Sequence, residues 1–253
     1  MSPKSIAAIL EQVASGKLSP QNAQEQLALL PFADLGHTKL DLHRELRQGA
    51  PETVYGENKT PEQLIDILDQ LHKTHGRALA TRVSSDKAAL VLATLPEARH
   101  DPASRLLTLG QPPTVALTPY VVVACAGTSD LPVAEEAAGT LAFLGHRVER
   151  LTDVGVAGIH RLFDKLDLLR RATVVISIAG MEGALTSVIG GLVAAPVIGV
   201  PTSVGYGVAE GGHTALNAML SSCASGVAVV NIDNGFGAAI FAHTILKSNK
   251  QPT

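Results

Sequence analysis

Apolar and polar positions follow two different rhythms along this chain, and the change between them falls before its midpoint. From Pro3 to about Leu30, apolar residues at Ile6, Ile9, Leu10 and Val13, then Ala23, Leu27 and Leu30, recur at helical spacing on either side of Gly16 and Pro20. That pattern predicts a helical hairpin. A mixed stretch follows from Asp34, with a short strand expected at Thr53 to Tyr55. Thr60-Pro61-Glu62-Gln63 reads as a helix start: Thr60 is the N-cap, Pro61 takes the first helical position and Gln63 completes a capping box. Ala78 to Val83 reads as a strand and Ala88 to Leu92 as a strand or short helix, so the N-terminal third is a small α/β domain. Between Leu95 and Pro119 the prolines Pro96, Pro102, Pro112, Pro113 and Pro119 interrupt any period. A linker is expected there, with domains over 1–118 and 119–253.

Beyond Pro119 the rhythm becomes regular. Strand-like runs at Tyr120 to Cys125, His146 to Leu151, Thr173 to Ile178, Pro196 to Val200 and Val227 to Ile232 alternate with amphipathic stretches. Those stretches are Pro132 to Leu144, Ile159 to Arg170, Ala184 to Val193, His213 to Ser221 and Phe236 to Leu246. The alternation predicts a five-stranded parallel α/β unit, and runs such as Val121-Val122-Val123 predict strands buried on both faces, a three-layer α/β/α arrangement.

Composition narrows the function. The hydrophobic share is 46% and the mean hydropathy +0.23, which fits buried strands and oligomer interfaces. With 3% aromatic residues, no Trp and a net charge of -3, a nucleic-acid partner is not expected. A small ligand is. Cys125 and Cys223 form no CxxC or Cys/His pair, and the nine His show no ligand spacing, so no metal site is expected. The apolar run near the N-terminus is short and broken by Glu11, so neither a membrane span nor a secretory segment is expected, and a reduced, cytoplasmic protein is.

In a parallel sheet the segments after each strand face the ligand. Here they are rich in glycine. Gly127-Thr128-Ser129-Asp130 suits a phosphate or ribose, with Asp130 on sugar hydroxyls or a hydrated metal; it also reads as an ordinary N-cap. Asp153, His160 and Arg161 follow the second strand, where Arg161 can meet an anion or remain a solvated first-turn arginine. After the third strand, Gly180 and Gly183 allow close backbone approach at Met181, and Glu182 is an acid or base candidate. Ser203 and Gly205 belong to the fourth such segment. Cys223 sits among small residues and is the candidate nucleophile, whereas Cys125, within VVVACAG, reads as core. No GxGxxG follows a strand and no GxxxxGK[ST] occurs, so dinucleotide-redox and P-loop chemistry are unsupported.

The run SIAGMEGALTSVIGGLVAAPVIGVPTSVGYG from Ser177, with GTSD and Pro132 before it, resembles the aminoimidazole ribonucleotide carboxylase superfamily. Its purine enzymes carry a histidine where Ala184 stands in this chain. The segments LDLHRELRQGAPETVYGENKTPEQ, LATRVSS, ACAGTSDLPVAEEA, TDVGVAGIHRL, AGMEGAL and SSCASGVAVVNIDNGFGA resemble instead the LarB-type family, the pyridinium-3,5-biscarboxylic acid mononucleotide synthases of nickel-pincer cofactor synthesis. Thr186, where a proline is expected, and Ala50, where a larger apolar residue is usual, depart from that pattern.

The resemblance implies a flavodoxin-like catalytic domain that carboxylates the pyridinium ring of nicotinic acid adenine dinucleotide with CO2 or bicarbonate and releases AMP. In that chemistry Cys223 adds to the ring and Glu182, with Asp130 next, is the base. Gly127, Thr128, Ser129, Asp153, His160, Arg161, Gly180, Met181, Gly183, Ser203 and Gly205 bind substrate, and Arg44, Arg47, Lys59 and Arg82 supply cations from the N-terminal domain. Mg2+ is an open requirement, nickel is not bound by this chain, and a homo-oligomer, an octamer by resemblance, shares its sites between subunits. The alternatives are an aminoimidazole ribonucleotide carboxylase or mutase and a nucleotide-binding sensor without turnover.

Overall fold

The computed structural model describes residues 3–28, 32–115 and 117–248. The chain divides into two compact units, the first ending at Gln111 and the second beginning at Pro112.

In the N-terminal unit, α1 (Pro3–Ala14) and α2 (Pro20–Ala28) form the expected helix pair. Ile9 and Ala23 are buried while Leu10 is exposed; Leu30 lies outside the described residues. After a two-stranded ribbon, β1 (Ala33–Asp34) and β2 (Lys39–Leu40), come α3 (Arg44–Gln48), β3 (Thr53–Tyr55), α4 (Pro61–His75), β4 (Arg77–Thr81) and α5 (Ser85–Thr94). Thr60 accepts from the Gln63 N–H and the Gln63 side chain accepts from the Thr60 N–H, the full capping box. Leu64, Ile67, Leu68 and Leu71 form the buried stripe of α4.

The expected linker is in large part a hairpin. β5 (Arg99–Asp101) pairs antiparallel with β6 (Leu106–Gly110), closing a sheet of order β3-β4-β6-β5. Burial of Leu106, Leu107 and Leu109 in the N-terminal core outweighs the prolines around them. The turn is tight enough to set Arg105 in the left-handed region, and Asp101 accepts from Ser104 within it.

The C-terminal unit runs β7 (Tyr120–Cys125), α6 (Leu131–Phe143), β8 (Arg147–Leu151), α7 (His160–Phe163), α8 (Leu166–Arg170), β9 (Val174–Ala179), α9 (Ala184–Leu192), β10 (Val197–Pro201), α10 (His213–Leu220), β11 (Val227–Val229) and α11 (Gly235–Ser248). The five strands are all parallel in the order β11-β10-β9-β7-β8. Alternate residues of one strand face opposite helical layers. Val121, Val123 and Cys125 pack with Ala134, Ala137 and Leu141 of α6 and Ala238 and Ala242 of α11. Val122 and Ala124 pack with Leu162, Leu169, Leu185 and Ile189 on the other side. This two-sided burial is why the strands read as unbroken apolar runs.

Two expected elements differ. The helix over Ile159 to Arg170 is broken at Asp164 and Lys165, where the Lys165 N–H bonds back three residues to Leu162 and tightens the turn. The last strand ends at Val229 rather than Ile232. As an edge strand it pairs with β10 alone, and the chain bends away through Asp233, which has φ 55°. Glu136, buried on α6, accepts the Phe236 N–H and so receives the start of α11.

Candidate active site

Strand order reverses at β7, which lies between β8 and β9, and ligand crevices form outside the carboxyl ends of strands at such a point. A cavity of about 260 Å³ opens there. Its walls are Ala126, Gly127, Ser129 and Asp130 after β7, Gly155 to Ala157 after β8, Ala179 to Glu182 with Ala184 and Leu185 after β9, and Val204 after β10.

The segments are tied to one another by their backbones. Gly155 N–H donates to the Ala126 carbonyl at 2.9 Å, Met181 N–H to Val204 at 3.0 Å and Thr202 N–H to Ala179 at 3.0 Å. A side chain at Gly180 would meet the Val204 carbonyl oxygen at 2.2 Å, so only glycine permits this approach. Asp153 and Met181 adopt left-handed backbone at φ 56° and 51°. Such conformations cost about 1–2 kcal/mol each outside glycine, and they cluster at functional sites.

Asp130 is buried, and its carboxylate accepts from the Gly127 N–H at 2.9 Å and from the Thr202 hydroxyl at 2.6 Å. Its principal role is therefore to join the segments after β7 and β10, although an ionised carboxylate keeps further lone pairs for a ligand. Thr202, buried just past the end of β10, is absent from the expected site because its partner Asp130 lies 72 residues away and nothing local marks the pair. Glu182 lines the cavity and is exposed to solvent. Ser129, Gly180 and Met181 also line it, whereas Thr128 and Gly183 only flank it in sequence. Ser203 and Gly205 flank the lining residue Val204, and the Ser203 N–H is held by Asp233 at 2.8 Å.

Asp153, His160 and Arg161 line a neighbouring cleft of about 640 Å³. There the Arg161 guanidinium is paired with the Asp153 carboxylate. Cys223, exposed between α10 and β11, is not among the residues of the cavity wall. The adjacent Ser222 hydroxyl lies 2.8 Å from that of Ser187 on α9. Ser187 is three residues past Ala184, roughly 4.5 Å along the helix. Cys125 is buried in the core, and burial pushes its thiol pKa up.

The N-terminal cations have partners within their own unit. Arg44 and Arg47 lie on Asp41, and Arg82 approaches Glu57 and the Tyr55 ring. Lys59 is half-buried just ahead of the α4 cap. Among the described residues no group of three or more His, Cys, Asp or Glu is arranged to hold a metal ion, and no helix is long and apolar enough to cross a membrane.

A parallel, doubly wound sheet with a small cavity at its switch point defines the class of protein as α/β with a ligand-sized crevice at the carboxyl ends of its strands. Residues 120–253 match the AIR carboxylase family and residues 32–111 the LarB/PurE-like N-terminal domain. The chain belongs to the AIR carboxylase superfamily, as a LarB-type member. An uncharacterized protein of Methanocaldococcus jannaschii is 40% identical over 253 residues, covering 96% of this chain and 98% of that protein. A crystal structure of Treponema denticola PurE covers 52% of this chain and 92% of that chain at 20% identity, with a TM-score of 0.39. A PurE2 variant from the same organism covers 53% and 92% at 19% identity, also with a TM-score of 0.39.

Proposed function

We propose that this carboxylase-superfamily enzyme carboxylates the pyridinium ring of nicotinic acid adenine dinucleotide and hydrolyses its phosphoanhydride, giving pyridinium-3,5-biscarboxylic acid mononucleotide and AMP. One observation carries the reading. The wall position that the resemblance assigns to the purine enzymes' histidine is Ala184, in a chain that also bears a LarB/PurE-like N-terminal domain. An aminoimidazole ribonucleotide carboxylase, the reading that the C-terminal match alone would favour, lacks its proton carrier here.

A pyridinium carbon is electron-poor and does not attack CO2. Addition of the Cys223 thiolate para to the ring nitrogen moves an electron pair onto that nitrogen and leaves a dihydropyridine with an enamine carbon. That carbon forms the new bond to CO2. Glu182 takes the ring proton from the carboxylated carbon, and loss of the thiolate restores the aromatic pyridinium. The ring step is redox-neutral; separately, one water cleaves the phosphoanhydride. The cavity suits a cationic ring: its charged wall residues are the carboxylates Asp130 and Glu182, among small apolar neighbours.

Incubation with nicotinic acid adenine dinucleotide, bicarbonate and Mg2+, followed by mass spectrometry, is expected to yield AMP and the doubly carboxylated mononucleotide. Carboxylation of aminoimidazole ribonucleotide instead, or binding without turnover, overturns the reading.

A further inference from the structure

Glu182 stands on a turn with few bonds of its own. The Gly183 N–H closes that turn on the Gly180 carbonyl at 3.0 Å, Met181 is in the left-handed region and Glu182 is exposed. Its place is set by the chain that leaves β10. The Thr202 N–H reaches the Ala179 carbonyl, and the Val204 carbonyl receives the Met181 N–H, both at 3.0 Å. A Cβ on Gly180 would lie 2.2 Å from the same Val204 oxygen, so residues 202–204 press directly against the turn.

Two carboxylates hold this segment. Asp130 receives the Thr202 hydroxyl at 2.6 Å, on the cavity side. Asp233, in the turn after β11, engages the residues on either side of Thr202: its N–H donates to the Pro201 carbonyl at 2.9 Å and its carboxylate accepts the Ser203 N–H at 2.8 Å. Making both bonds requires φ 55° at Asp233, a conformation that glycine adopts freely and that Asp and Asn tolerate better than other residues. Glycine would meet the backbone requirement without the acceptor. Aspartate supplies both, and a carboxylate holds a backbone N–H more firmly than a carbonyl does. Asp233 is not among the residues of the cavity wall.

We infer that Asp233 is a positioning residue for the carboxylation site. By holding the chain on both sides of Thr202 it fixes the Val204 carbonyl, through it the Met181 turn, and so the Glu182 carboxylate at the cavity. The link runs across the sheet from β11 through β10 to β9. The task of Glu182 rests on the proposed function; the tie between Asp233 and the Met181 turn does not.

The test uses the full-length protein and three variants. Asp233→Asn keeps an acceptor and tolerates the conformation, Asp233→Gly keeps the conformation alone, and Asp233→Ala keeps neither. With nicotinic acid adenine dinucleotide and bicarbonate, the asparagine variant is expected to stay within about threefold of wild-type turnover. The glycine and alanine variants are expected to lower kcat about ten- to thirtyfold with KM within about twofold, because the base is displaced while the cavity persists. In a Glu182→Gln background, Asp233→Gly is expected to add less than about threefold, since residues that act as one unit are not additive. Amide hydrogen exchange without substrate gives a readout independent of activity. Asp233→Gly is expected to speed exchange about tenfold at Ser203 and, through Val204, at Met181, with the β7 amides unchanged and Asp233→Asn like wild type. Faster exchange confined to Ser203 overturns the inference. So does a full additive loss in the Glu182→Gln background, or an asparagine variant as impaired as the glycine one, and each of these leaves the proposed function standing. No turnover of the dinucleotide by the wild type overturns the proposed function, and exchange at Met181 then decides by itself whether Asp233 orders the turn.

Discussion

The two cysteines show how context divides one residue type into two roles. Cys125 lies on a strand buried on both faces, where desolvation raises its pKa and keeps it a thiol. Cys223 lies exposed among Ser222, Ala224 and Ser225. Under the proposed mechanism Cys223→Ala and Cys223→Ser each lower carboxylation by about a thousandfold or more, since a hydroxyl near neutral pH is a poor nucleophile. Product mass spectrometry with circular dichroism as the fold control checks this; wild-type turnover in folded Cys223→Ser removes the covalent step. Cys125→Ala is expected to cost about 1–2 kcal/mol in urea unfolding with activity kept. Glu182→Gln is expected to slow turnover by about a hundredfold or more with folding unchanged, because the residue is exposed and its only proposed task is proton removal.

Elements are held by polar ties whose loss has a calculable sign. Thr202→Val keeps the shape but removes the hydroxyl that donates to Asp130 at 2.6 Å, leaving a buried carboxylate oxygen short of a donor. The expected loss is about 1–3 kcal/mol in denaturant unfolding, with activity falling as the segments after β7 and β10 separate. In the N-terminal unit, Glu45 of α3 reaches His75 of α4 at 3.2 Å and Arg77 of β4 at 3.5 Å. The hydrogen bond with His75, aided by the Arg77 guanidinium, outweighs the opposing effect of burial and holds the Glu45 carboxyl below its ordinary value of 4.5. A depressed folded pKa contributes stability that is fully present above the unfolded value and is lost as pH falls through the folded one. Unfolding titrations are therefore expected to show stability declining below about pH 4.5, and Glu45→Gln is expected to flatten that decline.

For the whole molecule, Cys223 lies outside the cavity wall of its own chain. We propose a homo-oligomer, an octamer by family resemblance, in which a second copy supplies it. Mixing inactive Cys223→Ala and inactive Glu182→Gln proteins under subunit exchange is then expected to restore part of the activity. Proven exchange without recovery means that Cys223 reaches the cavity within one chain. Substrate also carries a ring carboxylate besides its phosphates, and we propose that the N-terminal unit, with Arg44, Arg47, Lys59 and Arg82, adds to its affinity. A folded chain beginning at Pro119 that binds the dinucleotide as tightly as the full chain overturns this.

Local chemistry determined much of this protein from the sequence by itself. The Thr60 capping box, the strands at Thr53–Tyr55 and Tyr120–Cys125 and the glycine-rich turns after each long strand were legible, because their causes lie within a few residues. The burial of Cys125 was legible because its neighbours are uniformly apolar. The tertiary structure decided what depends on residues far apart in the chain. The hairpin β5–β6 exists through pairing with β4, which outweighs the local proline signal. Asp130 is satisfied by Thr202, 72 residues away, so no local pattern could show that its carboxylate is already engaged. The anionic cavity likewise arises only when β7 and β9 lie side by side, since Asp130 and Glu182 belong to different segments, 52 residues apart, and acquire their common meaning from proximity.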